Sequence, residues 1–283
     1  MTTWFITGSS RGLGRALVTA ALDAGDQVVA TARNPSDLAD LVEVGDHRIV
    51  AIPLDVTDPD AARAAIAAGV RRFGRIDVVV NNAGYANVAP IEIADDGDFR
   101  AQFETNFWGV YNVSRAAIAP LREQGGGTLV QVSSVGGRVG GSPGIGSYQS
   151  AKFAVDGFSR VLAVETAPFG IRVMVVEPSG FATDWAGSSM TVNAVPAEYD
   201  QTVGEFNRRV RGTSTAAGDP ERAARIILEA AAREHPPTHL LLGVNAVEMA
   251  LDYSQRQIDE ATAWEAVSRS ADYGQPFPAP FPG

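Results

Sequence analysis

Short apolar runs alternate with longer amphipathic stretches six times between Thr3 and Val176. The runs are Thr3–Thr7, Gln27–Thr31 (QVVAT), Arg48–Leu54 (RIVAIPL), Ile76–Val80 (IDVVV), Thr128–Val132 (TLVQV) and Ile171–Val176 (IRVMVV). Each is continuously apolar, as expected of a strand covered on both faces in a parallel sheet. Between them, Leu13, Ala16, Leu17, Ala20 and Ala24 recur at helical spacing and Gly25 ends the repeat. Asp58-Pro59, an N-cap followed by proline, opens an alanine-rich helix to Phe73. Asp96–Glu123 reads as a long helix with Pro120 in its last turn, and Tyr148–Ala167 as a helix stopped by Pro168 and Gly170. The alternation predicts an α/β fold of Rossmann type, a doubly wound parallel sheet with helices on both faces.

After Pro178 the periodicity loosens. Ser179–Gly218 is rich in Gly, Ser, Thr and Asn. It reads as a long loop, mobile over 185–218 on the substrate side, with a short helix near Glu198–Val210. Pro220–Arg233 (helix), Thr238–Leu242 (a seventh strand) and Ala246–Ala271 (helix) follow, and residues 245–283 form an extension ending in the proline-rich QPFPAPFPG. With no internal repeat, the expectation is a single domain over 1–283.

Composition narrows the chemistry. Lys plus Arg is 23 against 33 for Asp plus Glu, a formal charge of -10, which argues against a nucleic-acid partner. There is no cysteine, so disulfides, thiolate metal sites and thiol nucleophiles are excluded. The three histidines, His47, His235 and His239, are not grouped as ligands, and Pro236-Pro237 separates the last two, so no metal is expected. MTTWFITGSSRG has too short an apolar run for a signal peptide, and no stretch is long enough to span a membrane; the expected location is cytoplasmic.

The polar motifs fall at the predicted C-terminal ends of strands: Gly8, Arg33, Asp55, Asn81, Ser134 and Pro178. Thr7-Gly8-Ser9-Ser10-Arg11-Gly12-Leu13-Gly14 joins a strand to a helix, where a dinucleotide loop belongs. Gly8 allows the tight turn, Gly12 the approach of a pyrophosphate to helix amides, and Gly14 close packing of the helix on the sheet. The second strand ends at Ala32-Arg33, with alanine where NAD enzymes carry an acid. Arg33 and Arg11 suit a ribose 2′-phosphate. Asn81-Asn82-Ala83-Gly84 follows the fourth strand, where amide side chains can tie loops together. Tyr148-x-x-x-Lys152 places an ammonium one helical turn from a phenol, and a nearby cation favours phenolate.

Taken together, over about residues 3–185, these motifs resemble the short-chain dehydrogenase/reductase family, with a distant resemblance to hydroxysteroid dehydrogenases. The resemblance implies hydride transfer between NADP(H), preferred over NAD(H), and a ketone or secondary alcohol. It implies Asn106, Ser134, Tyr148 and Lys152 as catalytic residues. Tyr148 would be the acid–base group, Lys152 would tune it and bind ribose, Ser134 would place the carbonyl, and Asn106 would hold the proton relay. The cofactor would be bound by Gly8, Ser10, Arg11, Gly12, Leu13, Gly14, Arg33, Asp55, Val56, Asn82, Ala83, Gly84, Tyr148, Lys152, Pro178, Gly180 and Thr183. Two departures stand out. Ser179 replaces the glycine usual after that proline, and Ser134 lies one residue further from Tyr148 than is customary, with Ser133 a further residue back. Ser134 is preferred because Val-Gly-Gly follows it, and the loop Gly136–Gly146 is read as one residue longer.

Tyr85, Val139, Ile145, Phe181, Trp185 and Met190 are candidate walls of an apolar pocket for a bulky small-molecule carbonyl or alcohol. The resemblance also implies a homodimer through Asp96–Glu123 and Tyr148–Ala167, or else a tetramer; the extension after Val244 favours the dimer. Two other functions remain open: a regulator that senses NADP without catalysis, which would need the glycine loop alone, and a sugar-nucleotide epimerase or dehydratase, which would share the tyrosine and lysine but carry a larger C-terminal domain.

Overall fold

The computed structural model describes residues 1–181, 190–192, 194–212 and 218–282. In chain order, β1 (Thr3–Ile6), α1 (Gly12–Asp23), β2 (Gln27–Ala32), α2 (Ala39–Gly45), β3 (Ile49–Pro53), α3 (Pro59–Phe73) and β4 (Val78–Asn81) form the first half. Then come β5 (Ala86–Val88), α4 (Asp96–Phe103), α5 (Gly109–Glu123), β6 (Gly127–Val132), α6 (Gly136–Val139), α7 (Gly146–Thr166) and β7 (Ile171–Pro178). The last elements are β8 (Met190–Val192), α8 (Glu205–Gly212), α9 (Pro220–Ala231), β9 (His239–Leu242), α10 (Val244–Ala263) and α11 (Glu265–Arg269).

Seven parallel strands make one sheet in the order β3-β2-β1-β4-β6-β7-β9, with Phe5 of β1 registered between Val29 and Val79. Side chains alternate between its faces, so each face collects its own core. One core holds Leu17 and Val18 of α1 and Ile227 and Leu228 of α9 against Ile6, Val80 and Val130. The other holds Ile66 of α3, Val113 and Leu121 of α5 and Leu162 of α7 against Phe5, Val79 and Leu129. Phe5, Ile6, Leu17, Ile66 and Leu129 have almost no exposed surface. Each such side chain contributes about 1.5–3 kcal/mol by leaving water.

Helix ends follow local chemistry. The Asp58 carboxylate accepts from Asp60 N (2.8 Å) and Ala61 N (3.1 Å), Pro59 starts α3, and Gly74 at φ +81° ends it. Asp219 and Pro220 repeat the device on α9.

The structure differs from the sequence reading in the predicted helix Asp96–Glu123. A wide π turn, Glu104–Trp108, separates α4 from α5, and the hydrophobic period alone does not reveal one inserted residue. Three features escaped the sequence: α2, the short α6 inside the expected loop Gly136–Gly146, and a two-stranded parallel ribbon in which β5 pairs with β8, Ala86 opposite Met190. Strands of three residues are too short to show a period. The expected helix in the long loop is present as a 3₁₀ turn (Ala197–Tyr199), a π turn (Asp200–Gly204) and α8. No helix among the described residues is long and apolar enough to cross a membrane.

Candidate active site

Strand order reverses at β1, where the chain moves from β2 and β3 on one side to β4 on the other. A crevice opens at such a reversal, beyond the C-terminal ends of the strands. The loop between β1 and α1 lines it. Gly8 (φ +66°) and Gly12 (φ +55°) take left-handed backbone conformations there. A Cβ on Gly14 would lie 2.2 Å from the Gly8 carbonyl oxygen, so helix and loop pack backbone to backbone. Ser9 Oγ donates to Ile6 O (2.8 Å) and Ser9 N to Thr31 O (2.9 Å), fixing the loop to β1 and β2. Ser10 is half-buried, and Leu13 packs on the core below. α1 begins with no capping side chain and no acid in its first turn. Its first amides and the positive end of its dipole are therefore suited to an anion.

The segment after β4 braces this loop. Asn82 Nδ2 donates to Thr7 O (3.0 Å) and Gly8 O (3.1 Å), while Asn82 N and Ala83 N both donate to Thr7 Oγ1 (2.9 and 3.1 Å). Asn81 points inward instead, donating to Ser114 Oγ (3.0 Å) and Gln131 Oε1 (2.8 Å). Gly84 stands where a Cβ would be 2.5 Å from Asn106 Oδ1 and 3.6 Å from Lys152 Nζ. The cradle made by Gly8, Gly14 and Gly84 thus fits a dinucleotide lying along the strand ends. Ala32 is buried at the end of β2 and Arg33 is exposed just beyond it; Arg11 is exposed at the start of α1. Asp55 is exposed, with Oδ1 accepting from Thr57 N (3.0 Å) and Thr57 Oγ1 (2.8 Å), and Val56 is buried.

The candidate catalytic residues lie across β4, β6 and α7. Lys152 is buried, donates from Nζ to Val132 O (2.7 Å), and holds its ammonium 5.7 Å from the centroid of the Tyr148 ring. Burial pushes its pKa from 10.5 down to about 8. Tyr148 is itself buried, one helical turn before it. The two serines part company. Ser133 is buried and donates to Lys152 O (3.2 Å), whereas Ser134 is half-buried and its Oγ accepts from Gly136 N (3.0 Å). Asn106 sits in the π turn, fully buried, with Nδ2 donating to Tyr85 O (3.0 Å) and Oδ1 accepting from Tyr85 N (3.3 Å). The extra residue of the turn, with Gln102 packed alongside, aims Asn106 back at the chain after Gly84.

An apolar cluster covers Tyr148. It joins Ala86 and Val88 of β5 and Ile145 to Val203 and Phe206 from the segment of α8, with Val195 and Tyr199 at its margin. Sequence reasoning found only Ile145 of this group; Val203 and Phe206 carry no motif and reach the site through chain folding. The other candidate walls scatter. Tyr85 has Asp98, Thr105 and Arg33 around its phenol, whose pKa is raised chiefly by burial and then by Asp98. Val139 is half-buried on α6. Phe181 packs on the opposite core and over Gly218, away from Tyr148. The backbone of Met190 lies beside Ala86, and its side chain, like Thr183 and Trp185, falls outside the described residues. Pro178 O accepts from Val135 N (3.0 Å), and Gly180 is exposed two residues on.

Near the C-terminal end of β7, buried Glu177 is held by Arg138 from α6 through Nε (3.0 and 3.1 Å) and Nη2 (2.9 Å). Asp156, Glu177 and His239 bring ligand atoms within 4.8 Å of one another. Arg138 and Arg160 already neutralise those carboxylates, which leaves little attraction for a metal ion.

Known proteins resemble this chain in sequence and fold. A sequence profile described as short chain dehydrogenase matches residues 2–193. Oxidoreductase BOA17 of Botryotinia fuckeliana is 52% identical over 249 residues, covering 87% of this chain and 90% of that protein. A 3-ketodihydrosphingosine reductase of Bacteroides thetaiotaomicron is 31% identical over 84% of this chain and 86% of its own length. Among solved structures, a short-chain dehydrogenase from Streptomyces avermitilis superposes with a TM-score of 0.90 at 38% identity, covering 96% of this chain and 98% of that one. ElxO with NADP bound superposes at 0.74 and 26% identity, covering 87% and 99%.

The buried ammonium gives a first prediction. Lys152 carries its proton in the unfolded chain up to about pH 10.5 but in the folded protein only up to about 8. The desolvation penalty is therefore full below 8 and relieved as pH rises from 8 to 10.5. In urea melts without cofactor, Lys152→Met should gain most over the unmutated protein at pH 7, and that difference should shrink by ~2–3 kcal/mol across the window. A pH-independent difference would refute it.

Proposed function

The chain belongs to the short-chain dehydrogenase/reductase family and is an oxidoreductase, and on that premise we propose that it moves a hydride between NADP(H) and a bulky, apolar ketone or secondary alcohol. The observation that carries this reading is the buried Lys152 ammonium beside the Tyr148 ring, covered by Ile145, Val203 and Phe206. The nicotinamide cofactor, when bound, supplies or accepts the hydride. The chain's own residues manage the proton. The Tyr148 phenol donates to the carbonyl oxygen in reduction and takes the proton back in oxidation. The Lys152 charge stabilises the phenolate left behind, and a pKa of about 8 keeps that charge in place at neutral pH. Ser134, whose Oγ is not tied to Lys152 as that of Ser133 is, donates its O–H to the same oxygen. Asn106 locks the Tyr85 backbone beside Gly84.

For the cofactor, the amides of α1 and the left-handed glycines take the pyrophosphate, and Asp55 with Val56 the adenine. Pro178, Gly180 and Thr183 take the carboxamide end. Arg11 and Arg33 take the 2′-phosphate, for which the buried Ala32 offers no competing carboxylate. An NADP-bound structural neighbour and a ketone-reducing relative support the reading. The same family likeness supports a homodimer. Phe153, Val161 and Val164 are exposed along one face of α7, and Gly157 on that face has open space where a partner helix can approach.

Three outcomes follow. Tyr148→Phe should keep fold and cofactor binding while ketone reduction falls by about two to four orders of magnitude. Retained turnover in steady-state assays would instead favour a cofactor sensor. Kinetics with both cofactors should favour NADPH by about ten- to a hundredfold, and Ala32→Asp with Arg33→Ala should move the preference toward NADH; equal efficiency before mutation counts against the arginines. Sedimentation at micromolar concentration should give a dimer that Val161→Glu with Val164→Glu dissociates, and a monomeric unmutated chain would end that part of the reading.

A further inference from the structure

Gln149 follows Tyr148 on α7, is 6% exposed, and carries a polar group the mechanism above does not use. Its two amide atoms have different fates. Oε1 accepts from Ser142 N (3.1 Å), which pins the loop before α7, where Gly140 and Gly141 turn at φ +64° and +76°. This is the stretch in which the spacing between serine and tyrosine is lengthened. Nε2 is buried and has no hydrogen-bond partner among the described residues. A buried N–H₂ without an acceptor is costly, and native proteins keep such groups where they serve something else.

The position of Nε2 is informative. A Cβ placed on Gly136 would lie 2.9 Å from Gln149 Nε2 and 3.4 Å from Ser134 Oγ, so the two polar atoms are neighbours across a residue that has no side chain. Ser134 Oγ already accepts one hydrogen bond, from Gly136 N. A hydroxyl has two acceptor lone pairs and one proton. If a second donor fills the remaining lone pair, the hydroxyl is left with only its proton to offer.

We propose that Gln149 is a positioning residue for Ser134: it clamps the lengthened loop through Ser142 and turns its Nε2 donor onto Ser134 Oγ in the working enzyme, committing the seryl O–H to the substrate carbonyl. The proposal rests on Ser134 being the carbonyl-binding serine. It also accounts for glycine at 136, since a Cβ there would crowd both groups.

Gln149→Glu separates clamp from donor, because a carboxylate still accepts from Ser142 N but cannot donate. The assay uses the fastest-reduced member of a panel of aryl alkyl and long-chain ketones. Gln149→Glu should lower kcat about tenfold at pH 8, with the KM for NADPH unchanged. Activity should recover as pH falls and the buried carboxyl regains a proton it can donate. Gln149→Met should show the loss at every pH, and in a Ser134→Ala background it should cost nothing more. Near-normal kcat in both Gln149 variants, or a full further tenfold loss in the Ser134→Ala background, overturns the proposal while leaving the serine assignment intact. If Ser134→Ala itself keeps full turnover while Ser133→Ala does not, the assignment fails and the proposal with it.

Discussion

A cation out of water is expensive, and the ends of β4 and β6 are arranged around one. Lys152 enters the interior from α7 with one carbonyl, Val132 O, to receive it, and loses part of its basicity in doing so. A lysine in water would hold its proton more firmly and its charge would be screened by solvent. Placed beside a buried phenol, the same charge acts on its neighbour more strongly than it would through water. Close by, the fully buried Asn106 satisfies the Tyr85 backbone, and Gly84 lacks the side chain that would collide with the Asn106 amide.

Much of this was legible in the chain because parallel strands are apolar throughout and glycines mark the places where backbones meet. The QVVAT and TLVQV runs lie at β2 and β6 to within a residue, and Gly14 proves to sit against the Gly8 carbonyl. Tyr148 and Lys152 stack because a helix dictates it. The π turn left no such mark, since one additional residue inside an amphipathic helix only blurs the period. Nor did the cover of Tyr148: Val203 and Phe206 are ordinary apolar residues in a polar stretch, and only three-dimensional folding brings them to Ile145. Phe181, a candidate pocket wall by its apolar ring, packs against the core on the α1 and α9 face.

Amide side chains do much of the internal wiring. Asn81 and Gln131 share Ser114, Asn82 braces the glycine loop, and Asn106 locks Tyr85. Amides offer donors and acceptors without charge, so they fix loops beside Lys152 without adding a second ion to a region of low dielectric. Where a buried ion is used, as in Glu177 with Arg138, it is paired.

The last long helix stands apart from this economy. α10 runs for 20 residues yet buries only Ala246 and Ala250, while Val244, Leu251 and Ile258 remain exposed. Little side-chain packing therefore ties it to the sheet. An element with so little buried surface opens at lower cost than a central strand, so the C-terminal region is held to the rest of the protein by far fewer side chains than the strands that frame the crevice.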